Sequence, residues 1–86
     1  MKNKKDRDLI NRKLKALANW RRKIEISKIN EGLVLCDIAV TLQTYITADE
    51  VTMRGNDVYA DVLGLVHVGT VAEVMENIDK DENYYK

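Results

Sequence analysis

The sequence predicts an α+β domain with an N-terminal amphipathic helix, a strongly bent antiparallel sheet or small barrel of 4–5 strands, and a short C-terminal helix. Two changes in hydrophobic period lead to this prediction. Apolar residues recur every three or four positions near the N-terminus, alternate with other residues through the middle of the chain, and return to helical spacing after residue 70. Short runs rich in Gly, Asn and Asp separate the alternating segments, as is typical of turns.

The chain has the size of one small domain. Its 86 residues fit a single unit spanning 1–86, in which we expect residues 1–5 and 79–86 to be loose tails because both ends are polar. Apolar residues make up 45% and charged residues 33%, a balance that argues against disorder. No apolar run approaches the roughly 18 residues of a membrane span, and the basic N-terminus lacks the apolar segment of a signal peptide. We therefore expect a cytoplasmic protein with no membrane partner.

Residues 6–19 are predicted to form the first helix. Apolar side chains at i, i+4 and i+7 define its buried stripe, namely Ile10, Leu14 and Leu17. Asp6 or Asp8 is expected to cap it. Trp20, at the exit of this helix, is expected to pack into the core.

The period then changes to two. Residues 23–29 are predicted to form a strand that ends at a turn, Asn30-Glu31-Gly32. Residues 33–46 are rich in β-branched side chains and are also expected to be a strand, broken once. A helix remains open for this segment, because four of its side chains also fit helical spacing: Leu35, Ile38, Leu42 and Tyr45.

A second hairpin is predicted from Val51–Arg54 and Val58–Val62, joined at Gly55-Asn56-Asp57. Glycine and asparagine accept the positive φ that a tight reversal requires. Leu63–Val68 is expected to continue the strand that begins at Val58, with a bend or bulge at Gly64.

The segment after this hairpin ends in a predicted helix. Thr70 is expected to cap it, and it runs through Ile78 with one apolar stripe, formed by Val71, Val74, Met75 and Ile78. A competing pattern in the same region resembles a helix-turn-helix. It consists of Ala60, of Gly64 four positions later, and of the helix that Thr70 is expected to cap. This second helix is acidic.

Charges are segregated by sign along the chain. Residues 1–28 hold eleven basic and three acidic groups, whereas residues 29–86 hold three basic and eleven acidic groups, so the zero net charge hides +8 and −8 halves. A segment this basic attracts phosphates by counterion release. Six of its residues are the candidate phosphate contacts: Arg12, Lys13, Lys15, Arg21, Arg22 and Lys23. The alternatives are a solvated helix face and an acidic protein partner.

The predicted hairpin turn carries a family resemblance. Met53–Val58 resembles the second sequence motif of Sm-like RNA-binding proteins, in which an apolar residue, Arg-Gly, two small polar residues and Val or Ile form the turn between the last two strands. Leu33–Asp37 is similar to the family's apolar strand after its first motif. The resemblance implies a bent five-stranded barrel, assembly into rings, and a nucleotide pocket to which Arg54, Gly55 and Asn56 would contribute. The alternative is that these residues only form a tight turn.

No constellation of residues points to catalysis. Cys36 and His67 are the one nucleophile and base pair, and both lie in apolar runs, so we expect Cys36 to be buried and His67 to be a packed or rim side chain. A single cysteine excludes an intramolecular disulfide, and one cysteine with one histidine makes no zinc site. We therefore predict no enzymatic activity, no cofactor and no metal.

Together these patterns predict a small binding protein. Its expected partner is nucleic acid, with RNA favoured over DNA, bound through the basic N-terminal segment. One alternative is a protein-binding adaptor or inhibitor that uses the charge dipole and an apolar sheet surface. The other is a helix-turn-helix DNA-binding regulator. Apolar side chains on both faces of the predicted long strands also favour a homo-oligomer.

Overall fold

The computed structural model describes residues 3–23, 27–81 and 83–85. The elements, in chain order, are α1 (Lys4–Lys23), α2 (Lys28–Gln43), β1 (Glu50–Arg54), β2 (Asp57–Asp61), β3 (Leu65–Thr70) and α3 (Val71–Lys80). The α+β class is confirmed. The expected 4–5-stranded barrel is wrong, because the described residues form an open sheet of three antiparallel strands in the order β1-β2-β3. Most of residues 33–46, which were expected to be a strand, belong to α2 instead.

Helix α1 confirms the first predicted helix and extends it at both ends. Its cap is Asn3 and not Asp6 or Asp8, since the Asn3 side-chain oxygen accepts hydrogen bonds from the backbone N–H of Lys5 and Asp6, at 3.1 and 3.4 Å. The Asp6 carboxylate instead accepts the hydroxyl proton of Tyr45 at 2.7 Å. The first turn of α1 is thereby tied to the residues that follow α2.

The buried side of α1 is narrower than expected. Ile10 and Leu17 are 0% and 1% exposed, whereas Trp20 is 37% exposed, so its predicted core position is wrong. Trp20 lies three positions beyond Leu17, about 60° round the helix. This rotation moves the indole from the core to the flank of α1.

Helix α2 is the main correction to the sequence prediction. The expected turn at residues 30–32 and most of the strand expected at 33–46 are helical, so both predictions are wrong. Ser27 begins the helix, because its hydroxyl oxygen accepts the backbone N–H of Asn30 at 3.2 Å. The segment Leu33–Asp37, likened above to a barrel strand, lies inside this helix. The strand predicted for residues 23–29 is also wrong at both of its ends, because Lys23 is the last residue of α1 and Lys28 is the first residue of α2. Residues 24–26 of that prediction lie outside the described residues.

The buried side chains of α2 follow the helical spacing that was the alternative to a strand for residues 33–46. Its buried side chains are Leu35, Ile38, Ala39 and Leu42. Cys36 lies on the other side of the helix and is exposed, so its expected burial is wrong. The apolar alternation failed to predict the fold here because α2 is apolar on both its buried and its exposed sides.

The second predicted hairpin is confirmed as β1 and β2, with Val51 opposite Ala60 and Met53 opposite Val58. Gly55 has a φ of +59° in the turn, the left-handed conformation that glycine accepts without strain. The expected continuation of this strand through Leu63–Val68 is wrong, because the chain reverses at residues 62–64, where Leu63 and Gly64 have positive φ, and a separate antiparallel strand, β3, starts at Leu65. Ala60 and Gly64 thus lie on a strand and in a turn, and the helix-turn-helix pattern does not form two helices.

Helix α3 confirms the last predicted element. Thr70 caps it by accepting the backbone N–H of Glu73 at 3.2 Å, and its four predicted apolar residues are all buried. Parts of both expected tails are ordered against the fold. Lys4 and Lys5 belong to α1, and Lys80 belongs to α3. Farther on, the carbonyl of Tyr85 accepts the backbone N–H of Thr47 at 3.1 Å.

One hydrophobic core joins the three helices to one face of the sheet. The residues that are fully buried come from α1, α2, β2 and α3: Ile10, Leu17, Ile38, Leu42, Val58, Val74 and Ile78. The opposite face of the sheet is left to solvent, as expected for an antiparallel sheet covered on one side. Among the described residues, no helix combines the length and apolar character needed to cross a membrane.

Candidate nucleic-acid interface

The basic residues of α1 fall into two sets. The first set, the inner cations, lies beside the rest of the fold and is engaged in ion pairs with acidic residues of α2 and α3. Arg7 pairs with Asp79, Lys13 with Asp37 at 3.0 Å, and Arg21 with Glu31. These three cations hold α1 against its neighbours and are not available to a partner without loss of those contacts.

The second set points away from the core and is exposed. We call it the outer face of α1, and it consists of Lys4, Lys5, Arg12, Lys15, Arg22 and Lys23, with Asp8 among them. Within the described part of the chain none of the six cations forms an ion pair; the Arg22 guanidinium donates a hydrogen bond to Asn19 at 3.1 Å. Six positive charges and one negative charge therefore face solvent on one side of one helix.

The spacing of these cations suits a linear polyanion. Lys5 and Arg12 are seven residues apart, as are Lys15 and Arg22, so each pair lies almost in line along the helix. At 1.5 Å per residue, Lys5 to Arg22 spans about 25 Å, the length of about seven phosphates along one strand of a duplex. Arg12 and Lys15 each line two shallow grooves along this face.

Trp20 lies at the edge of the outer face. It is three residues before Lys23, one turn along the same helix, and its ring is partly exposed. Base stacking on such a ring is sequence-tolerant, because every base has a π-face. The sequence carries a signal for this exposed position, since Trp20 directly precedes two arginines.

The predicted contact residues are therefore divided by the structure. Arg12, Lys15, Arg22 and Lys23 lie together on the outer face. Lys13 and Arg21 do not join them, because both are inner cations. Only the fold separates Lys13 and Arg21 from the other four cations, because their acidic partners lie 24 and 10 residues farther along the chain.

The residues predicted as nucleotide contacts lie at the β1–β2 turn, where Arg54 ends β1 and Gly55 and Asn56 form the turn. The Arg54 guanidinium carbon is 5.4 Å from the centroid of the Tyr59 ring, a cation–π distance. The Asn56 carbonyl is already engaged, accepting the backbone N–H of Val71 at 2.8 Å. Arg21 of α1 lines a groove of about 430 Å³ together with Asn56 and Thr70.

The solvent face of the sheet carries a small aromatic cluster that sequence reasoning missed. Tyr59 and His67 lie opposite each other on β2 and β3, with ring centroids 5.1 Å apart, and His67 Nε2 is 3.2 Å from Asp57 Oδ1. The alternation of side chains along β2 places Asp57, Tyr59 and Asp61 on this one face. Glu50 pairs directly with Asp61, so acidic residues surround the cluster and disfavour phosphate here.

Comparison of the chain with protein-family models, with curated proteins and with solved structures finds no match. The described residues also contain no group of three or more His, Cys, Asp or Glu side chains placed to hold a metal ion. The assignment of a function therefore depends on the geometry and charge of the surfaces described above.

Proposed function

We propose that the protein binds nucleic acid by laying the outer face of α1 along the sugar-phosphate backbone. The observation that supports this proposal is the division of the helix's cations. The inner cations are neutralised by the protein's own acids, whereas the outer six are exposed without ion pairs within the described chain. A helix face that serves only solubility is expected to mix positive and negative charges. This face instead carries six positive charges and one negative charge.

The expected chemistry is neutralisation of phosphates by arginine and lysine, with release of condensed counterions. Such contacts fix the position of the nucleic acid but carry no base information. The proposal therefore names a backbone binder without sequence preference. Arg54, Gly55 and Asn56 are left out of the proposed interface, because Asp57 lies directly opposite Arg54 at the turn and the Arg54 guanidinium is already engaged over the Tyr59 ring.

The remainder of the fold supports this orientation through its charge. The acidic half of the sequence supplies the sheet and α3, and the basic half supplies α1. A dipole of this kind turns the basic end of a protein toward a polyanion during approach and repels the polyanion from the other end. We therefore expect association to be fast at low ionic strength and to weaken steeply with salt.

Fluorescence anisotropy with labelled single-stranded RNA, single-stranded DNA and duplex DNA tests the proposal. The test variant carries three changes on the outer face, Arg12→Gln, Lys15→Gln and Arg22→Gln. The control variant removes the same charge elsewhere, through Lys28→Gln, Arg54→Gln and Lys80→Gln, all at exposed positions. We expect the test variant to lose at least about tenfold in affinity and the control to lose much less.

Two outcomes would contradict the proposal. One is the absence of binding to all three nucleic acids at about 50 mM salt, where phosphate contacts are strong. The other is an equal loss in both variants, which would mean that net charge and not the outer face controls binding. Circular dichroism on each variant shows whether it remains folded.

A further inference from the structure

Helix α2 carries an exposed row of apolar side chains that the proposed function does not use. We call it the α2 stripe, and it consists of Ile29, Leu33, Cys36 and Val40. Ile29, Leu33 and Val40 are 77%, 62% and 63% exposed, and Cys36 is also exposed. The core side chains of α2 lie on the other side of the helix, so this row is an apolar surface additional to the core.

The spacing of the stripe is that of a helix-packing seam. Its residues are separated by four, three and four positions, the alternation of a and d positions in a heptad repeat. Few charges border it. Asp37 follows Cys36 and is paired with Lys13 at 3.0 Å, and the exposed Lys28 precedes Ile29 at the end of the stripe. A second apolar helix can therefore approach the centre of the stripe, at Leu33 and Cys36, without burying an unpaired charge.

We propose that two copies of this chain associate through the α2 stripe, with the two α2 helices antiparallel about a twofold axis. The stripe is self-complementary in this arrangement. Leu33 of one copy meets Cys36 of the second copy, and Ile29 meets Val40, so each larger side chain faces a smaller one. A parallel pair would instead place leucine against leucine and cysteine against cysteine, which fills successive layers unevenly. Antiparallel helix dipoles also favour the arrangement.

Gly32 borders the stripe and fits this packing. It lies in the exposed first part of α2, and a Cβ built there meets nothing within 4 Å. Within a single chain an alanine would fit equally well and would favour the helix. A residue without a side chain beside the seam lets a second helix approach closely, which gives the glycine a role that the isolated chain does not provide.

Sedimentation velocity from about 5 to 500 µM tests the association, a range that brackets weak to moderate dimer affinities. We expect the mass to rise with concentration from 9.9 kDa toward twice that value. Leu33→Glu, within the stripe, should remain monomeric at every concentration. The control is Leu65→Glu, the same change at a site that is 51% exposed on β3, and it should dimerise like the unmodified chain.

Disulfide trapping tests the antiparallel arrangement. Since Cys36 is the one cysteine of the chain, Cys36→Ser gives a background without thiols. In that background Ile29→Cys and Val40→Cys are prepared as separate proteins. Under mild oxidation a mixture of the two should form mixed disulfide dimers, and each protein alone should form few.

Three results would overturn the proposal. A monomer at all concentrations would rule out self-association and leave the stripe to a different protein. Dimerisation that survives Leu33→Glu would place the interface elsewhere. Efficient trapping of either cysteine variant with itself, but not of the mixture, would contradict the antiparallel arrangement. Circular dichroism of Leu33→Glu shows that loss of the dimer is not loss of the fold.

Discussion

Helices α1 and α2 are adjacent in sequence and pack against each other, yet they present opposite chemistry to solvent. The outer side of α1 carries six cations and one acid, whereas the outer side of α2 carries an apolar row. Both helices bury a similar kind of side chain toward the core. The difference shows that packing in the core determines the residue types on only one side of each helix. The residue types on the other side depend on what contacts that side from outside the chain.

The largest expected effect compares two leucines, one on the inner side of α1 and one on the α2 stripe. Leu17 is 1% exposed and Leu33 is 62% exposed. Leu17→Ala should lower the free energy of unfolding by about 2–5 kcal/mol, because it removes buried methyl groups and leaves a cavity. Leu33→Ala should change it by less than about 0.5 kcal/mol at low protein concentration.

Urea denaturation followed by circular dichroism measures both values. In a domain this small the Leu17 change alone can approach the total stability. Equal losses at the two sites would contradict the division of each helix into a core side and an outer side.

The next comparison concerns neighbouring arginines with different assigned roles. Arg21 is paired with Glu31 of α2, and Arg22 lies on the outer face of α1. Arg21→Gln should lower stability by about 0.5–1 kcal/mol, because the pair is one-third exposed or less and only partly screened. Arg22→Gln should leave stability nearly unchanged but weaken nucleic-acid binding about three- to tenfold.

Denaturation and anisotropy on the same two proteins check this prediction. Each protein serves as the control for the other, since both lose one positive charge from adjacent positions. An equal loss of nucleic-acid affinity in the two variants would contradict the assignment of binding to the outer cations alone.

A third prediction tests how α2 begins. Ser27→Ala removes the hydroxyl that accepts the N–H of Asn30, and should cost about 1 kcal/mol. Ser27→Asp is the matched control, because aspartate also caps helices and should retain most of the stability. Thermal melts of the two variants measure the difference. If Ser27→Ala is neutral, the start assigned to α2 is incorrect.

The smallest expected change is a gain in stability. Gly32→Ala should raise the free energy of unfolding by about 0.5–1 kcal/mol in dilute solution, because alanine favours the helix and the site is open. The same change should weaken dimerisation if Gly32 borders the seam. Dilute denaturation and concentrated sedimentation separate the two effects, and a dimer unaffected by the change would place Gly32 outside the seam.

The contrast between the two helices also explains how much of the fold was predictable. Helix α1, the β1–β2 hairpin and α3 were predicted because each shows one apolar period, and the hairpin and α3 also show a recognisable turn or cap. Helix α2 was mistaken for strands because its apolar residues lie on both of its sides, which hides the helical period. Ser27 followed by Glu31 in the first turn was a helix-start signal that the Asn30-Glu31-Gly32 turn prediction obscured.

The candidate site was predictable only in part. The charge asymmetry pointed to α1, and four of the six cations proposed from it lie on the outer face of that helix. Lys13 and Arg21 could not be separated from these four by sequence, because their partners Asp37 and Glu31 lie on a helix that was predicted to be strand. The α2 stripe was missed for the same reason, since it exists only when residues 29–40 are helical.

The central claim, that phosphates contact the outer face of α1, is tested most directly by the salt dependence of binding to single-stranded RNA. Four to six phosphate contacts predict a slope of log affinity against log salt of about −3 to −4. The variant with Arg12→Gln, Lys15→Gln and Arg22→Gln should lose about two units of that slope, and the Lys28, Arg54 and Lys80 control should keep it. A slope that is near zero, or that is the same in all three proteins, would contradict the claim.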